Sequence, residues 1–168
     1  MNKLVGIVAL VATACGGGST HRHVAIANLS YDVPADWQFA DTTGRGLMES
    51  VWTPDGDNQR KESVTVIRSE RSPATAHAGA STIERLLRDS LLGARILTTG
   101  PITTLRGLSG VRVETDFVPP GLSTSYHRVH VVLVDGPVLV HVMYTSKTPD
   151  VNAEAFNLVL RTIQHEET

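Results

Sequence analysis

The chain predicts an α+β fold, an antiparallel β-sheet flanked by helices, and three features of its 168 residues point there. Three consecutive segments in the C-terminal half, "GVRVETDFV", "STSYHRVHVVLV" and "PVLVHVMYTS", alternate apolar and polar residues, the period of a strand with one buried face. Asp135-Gly136 separates the last two, and Asp-Gly between alternating segments is a strong hairpin signal. Two other segments, near residues 81–92 and at the C-terminus, place apolar residues at helical spacing instead.

The elements follow in chain order. Val24 to Leu29 is a short extended candidate, and Tyr31 to Trp37 ("YDVPADW") reads as a strand ending in a turn, because Pro34 fixes its own φ and pushes Val33 toward an extended conformation. Gly46 to Thr53 is a second strand, and "PDGDNQRKE" is the densest turn cluster in the chain. Ser63 to Ser69 alternates, with Val64, Val66 and Arg68 on one face. A helix is predicted over 81–92: Ser81 and Glu84 have the form of a capping box, and Ile83, Leu87, Leu91 and Ala94, widened by Leu86, make the apolar stripe. Glu84 and Arg88 form an i,i+4 pair, and Gly93 is the stop. The three-stranded meander comes next, turning at Pro119-Pro120-Gly121 and at Asp135-Gly136. Thr148-Pro149-Asp150 has the form of a helix start, and Ala153, Phe156, Val159, Leu160 and Ile163 form the apolar face of the closing helix.

A two-residue loop at Asp135-Gly136 sets the meander's register. It pairs His130 directly with His141 and gathers Val129, Val131, Leu133, Val138, Val140, Val142 and Tyr144 onto one apolar face. The opposite face carries Arg128, His130 and His141. Pro137 complicates this turn because it lacks an N–H, and a three-residue loop would split the histidines between faces. Two cross-strand histidines could ligate a transition metal or another ligand, or change charge near mildly acidic pH. The competing reading is two ordinary histidines on a sheet surface, since a stable zinc site wants three or four ligands and His127 falls on the other face.

No catalytic signature accompanies them. Gly107-Leu108-Ser109-Gly110 lacks the spacing of a nucleophile elbow and reads as a backbone step or bulge. Glu114 and Asp116 alternate as solvent residues do, and Trp37 and Trp52 fit the core or its edge. There is no P-loop, dinucleotide fingerprint or H-E-x-x-H motif. The expectation is a protein that is not an enzyme and carries no cofactor. A formal net charge of −2, with basic residues scattered along the chain, argues against nucleic acid as a partner.

The N-terminal end carries a different message. Lys3 precedes an apolar stretch from Leu4 to Ala14 that is too short to span a bilayer and fits an export signal. Val11-Ala12-Thr13-Ala14-Cys15 resembles the lipobox of bacterial lipoproteins, although Ala12 stands where the pattern has a larger aliphatic residue. The resemblance implies a signal peptide over residues 1–14 and a mature chain starting at Cys15, whose sulfur carries a diacylglyceryl group with palmitate-like acyl chains. Cys15 is the single cysteine, which argues against a disulfide role. The alternative is an ordinary export signal followed by an incidental thiol. Residues 15–27 are expected to hold the lipidated cysteine and a flexible tether, with His21-Arg22-His23 solvated inside it. Residues 28–168 are expected to form one α/β domain. The implied location is the cell envelope, with the domain held to a membrane by its lipid and facing the periplasm or exterior.

The order of pieces also resembles a family. "YDVPADW", the hairpin "LVDGPVLVHVMY", the step from Gly107 to Gly110 and the closing "FNLVLRTI" look like the Mog1/PsbP-like α/β/α sandwiches, especially the small bacterial lipoproteins of the DcrB or LpqN kind. The resemblance spans about residues 28–164. It implies a non-enzymatic binding, accessory or assembly role with an envelope protein partner, and it transfers no active-site residues. The alternative is a small-ligand or metal-binding envelope lipoprotein using the sheet face around His130 and His141.

Overall fold

The strands Tyr126–Asp135 (β8) and Val138–Ser146 (β9) organise the molecule, because their alternation leaves both faces of the hairpin largely apolar and so calls for cover on both sides. The computed structural model describes residues 20–26, 28–41, 48–54, 62–71, 78–91, 93–147 and 153–166. In chain order these form β1 (His21–Ile26), β2 (Leu29–Pro34), β3 (Gln38–Asp41), β4 (Met48–Thr53), β5 (Glu62–Glu70), α1 (Ala80–Ser90), β6 (Arg95–Thr103), β7 (Ser109–Phe117), β8, β9, α2 (Glu154–Thr162) and β10 (Gln164–His165). One antiparallel sheet runs β3-β4-β5-β9-β8-β7-β6, and a small sheet runs β1-β2-β10. This is an α+β architecture.

The larger sheet separates two apolar clusters. On one face Val129, Val131 and Leu133 of β8 and Val138, Val140, Val142 and Tyr144 of β9 pack with Phe156, Val159 and Leu160 of α2 and with Leu29, Tyr31 and Val33 of β2. The apolar face predicted for the hairpin is therefore the main core. Trp37 and Trp52 lie in this cluster, and the Trp52 indole N–H donates to the Tyr31 hydroxyl at 3.3 Å. On the other face Val111 and Val113 of β7 and Val132 of β8 meet Ile83 and Leu87 of α1. Burying only two residues fully, α1 covers the β7–β8 end of the sheet and leaves part of that face open.

Gly110 belongs to this packing. A Cβ there would press on the Val132 carbonyl, 2.8 Å from its carbon, and stand 2.9 Å from Leu133 Cα. Close approach of β7 and β8 is the reason for the second glycine of the Gly107–Gly110 step.

Several expectations need correction. The hairpin register is offset by two residues: Asp135 pairs with Val138, Val132 with His141, and His130 with Met143. The loop is Gly136-Pro137, with Gly136 at φ 53°, the left-handed conformation that a glycine in first position supplies. Pro137 in second position then loses nothing by lacking an N–H. A shift of two preserves which face each side chain occupies, so the histidines stay together but sit diagonally. The capping box does not form, because α1 starts at Ala80 with Gly79 as its cap and no side-chain cap bond. Leu86 is exposed, and so is Ala153, which precedes α2. Residues 21–26 were expected within the tether, yet they form β1 and pair with β2 from His21↔Pro34 to Ile26↔Leu29. The His23 ring meets Asp32 Oδ1 at 2.8 Å across that pair, a contact that holds the strand as a tether would not. Ile163 is buried but extended, ending α2 before β10. Thr162 marks the end: its hydroxyl donates to the Leu158 carbonyl at 2.8 Å and accepts the Asp32 N–H at 2.8 Å. Strands β3, β6 and β10 had no counterpart in the sequence reading. Residues 1–19, including Cys15, and the turn Thr148-Pro149-Asp150 lie outside the described residues.

Candidate functional site

Where α1 ends short of the sheet edge, a cleft of about 300 Å³ opens between the α1 C-terminus and strands β7 and β8. Leu91 and Ala94 form one wall, and Phe117, Val118 and Pro120 form the other. Thr115, Arg128 and His130 line it from the sheet. Register explains why these three converge. Thr115 pairs with Arg128 and Val113 with His130, so all lie on the α1 side of the sheet.

His130 is 3% exposed, and its Nδ1 lies 3.1 Å from His141 Nε2. The two rings stack with centroids 5.3 Å apart and planes 30° from parallel. The other nitrogen of the His130 ring, Nε2, is closed to solvent and has no hydrogen-bond partner among the described residues. Burial first, then His141 and Arg128, push His130 down to about 3, and burial followed by Arg128 pushes His141 down to about 4. Both rings are thus neutral near pH 7. One donates to the other, and the tautomer chosen decides whether His130 presents an N–H or a lone pair at Nε2.

Arg128 completes the group. Its Nε donates to Thr145 Oγ1 at 3.0 Å, and its guanidinium carbon sits 4.1 Å from the centre of the Phe117 ring. Burial lowers its pKa, yet an arginine starts so far above neutrality that the guanidinium keeps its charge. Among the described residues no group of three or more His, Cys, Asp and Glu is placed to hold a metal. The two histidines direct nitrogens at each other, so they cannot present both to one ion without turning.

The structure therefore brings His130 and His141 together, as the face assignment required, and adds Arg128 as their working neighbour. Sequence reasoning had Arg128 on the right face but gave it no role. Its signals were Phe117 and Thr115 on the facing strand, legible only once the β7–β8 register is known. His127 points to the other face and meets Asp116 Oδ1 at 3.1 Å. Ser109 is exposed at the start of β7, and its hydroxyl lies 3.2 Å from the Thr103 hydroxyl.

No protein-family model matches the chain, and no curated protein matches it as a relative. Solved structures do share its architecture. The cyanobacterial PsbP (CyanoP) of Synechocystis superposes with a TM-score of 0.61 at 16% identity, over 92% of this chain and 98% of its own. The fold is PsbP-like. A Pseudomonas aeruginosa protein of unknown function has the same PsbP-like arrangement, with a TM-score of 0.57 at 15% identity over 89% of this chain and all of its own. A Bacteroides thetaiotaomicron protein matches at 0.53 and 14% identity over 84% of this chain, which spans 46% of that longer protein. At these identities the likeness concerns the PsbP-like fold itself. Among the described residues, no helix is long and apolar enough to cross a membrane.

Proposed function

We propose that the protein is a lipid-anchored cell-envelope lipoprotein whose PsbP-like domain works by binding rather than catalysis, with the cleft beside α1 as its binding locus. The anchor rests on the lipobox-like Val11–Cys15 segment and the lone cysteine. The observation that carries the binding reading is the cleft itself, a concave site in which polar groups converge between apolar walls, as they do in ligand pockets. The hydroxyls that line it serve the backbone instead of a catalytic base. Ser90 donates to the Leu87 carbonyl at 2.6 Å and Thr115 to the Arg128 carbonyl at 3.4 Å. Neither is paired with His130, so no nucleophile and base are joined there.

A second reading, docking of an envelope protein partner, draws on the cleft's rim. Val118 lies on the rim and Leu122 follows four residues later, and each is 53% exposed. Both readings use the same end of the molecule, and one variant tests the locus. Ala94→Trp puts an indole into the cleft. Thermal unfolding of the full chain in detergent, across a panel of small polar and acidic compounds, should show ligands that raise the Tm of the native protein by several degrees and leave the variant unmoved. Equal stabilisation of both proteins would place binding elsewhere.

A further inference from the structure

Arg128 is a cation seated on an aromatic ring. Arg85, Arg88 and Arg112 each have an acidic partner in Asp89, Glu84 and Glu114. Arg128 has none among the described residues, although it is half-buried against Phe117. The ring fixes the guanidinium plane, and the Nε–H bond to Thr145 fixes its rotation. No protein acceptor meets the terminal nitrogens among the described residues, so their donors are held in place and unspent. Arg128 lines the cleft with these donors open, so a ligand there can supply the acceptor that the described residues do not.

The chemistry of that ligand is constrained from several sides. A metal ion is disfavoured, since Arg128 repels it and the histidines spend nitrogens on each other. A phosphate dianion would want more donors than one guanidinium offers. A monocarboxylate fits the guanidinium. Its planar pair of oxygens matches the guanidinium fork. Leu91, Ala94, Val118 and Pro120 offer apolar walls to whatever the carboxylate is attached to. The volume, about 300 Å³, is at the small end of ligand sites.

We propose that the cleft binds a carboxylate on a short apolar group, held in a bidentate pair by Arg128. This rests on the cleft being the domain's binding locus, as argued above. The same chemistry belongs to a free monocarboxylic acid and to a peptide ending in an apolar residue.

Calorimetric titration of the full chain in detergent separates these. The probes are hexanoate and phenylacetate with their neutral amides, and a leucine-ending pentapeptide with a free or an amidated terminus. The expected result is that the carboxylates bind and each amide binds at least tenfold more weakly. The tighter of acid and peptide names the source. Arg128→Gln should lose about 10- to 100-fold, the worth of a charge-assisted pair, with Arg128→Lys in between. Amides that bind as well as acids, or an Arg128→Gln protein that binds equally well, would overturn the carboxylate assignment while leaving the cleft as the locus. No binding of any probe at millimolar concentration would also overturn it. Failure of the locus reading shows separately, as Ala94→Trp binding like the native protein.

Discussion

Acid should weaken this protein through the two stacked histidines, and the size of the effect follows from their surroundings. In the unfolded chain each ring titrates near its ordinary 6.5, whereas in the folded protein burial and Arg128 hold His130 to about 3 and His141 to about 4. The unfolded state therefore binds more protons below pH 6.5, and stability rises with pH in that range. This contribution is fully present above the unfolded value and is lost as pH falls from there toward the folded ones. Between pH 7 and pH 5 the loss is about 2 kcal/mol per ring, so about 4 kcal/mol for the pair. His23 works in the opposite sense: its hydrogen bond to Asp32 raises its pKa, so it favours the folded state below 6.5 and ceases to as pH rises. Its ring is half-exposed, and screening keeps that term small. Urea unfolding at pH 7, 6 and 5 reads the net effect. His130→Gln and His141→Gln should each lose only about half as much stability over the interval as the native protein does. If all three proteins lost the same amount, the rings would not be the titrating groups, and the account of a dry, cation-flanked pair would be wrong.

Three further predictions test the packing. Gly110→Ala forces a methyl group against the Val132 backbone and should cost about 3 kcal/mol in urea unfolding, because a strand cannot step aside as a side chain can. Phe156→Ala removes a ring that is 1% exposed from the junction of α2 with β9 and should cost about 3–5 kcal/mol by the same measurement. Thr162→Val leaves the Asp32 N–H without its acceptor and should cost about 1–3 kcal/mol, with faster hydrogen exchange at that amide.

Much of this architecture was legible where side-chain alternation was long and clean. β8 and β9 declared their faces in sequence, and Val129 through Tyr144 fill the core as read. Register was harder, since Asp135-Gly136 and Gly136-Pro137 are both plausible two-residue loops. The second won because it gives glycine the left-handed position and proline the position that needs no N–H. Strand β6, "RILTTGPIT", was missed because most of its side chains are exposed and it lacks a clean apolar face, as an edge strand can. β1 was assigned to the tether because "HRH" looks solvated, while its pairing to β2 depends on backbone bonds and on Asp32, which no local pattern reveals. The site divided in the same way. The histidine pair was visible from parity alone, but its meaning depends on Arg128, Phe117 and the end of α1, which only the fold brings together.

The claim that this PsbP-like domain is held at the envelope by a lipid is tested most directly by intact-mass spectrometry of the membrane fraction, comparing the native chain with Cys15→Ser. The account predicts a native species that begins at Cys15 and carries added acyl mass, absent from the mutant. An unmodified chain in both samples would contradict it.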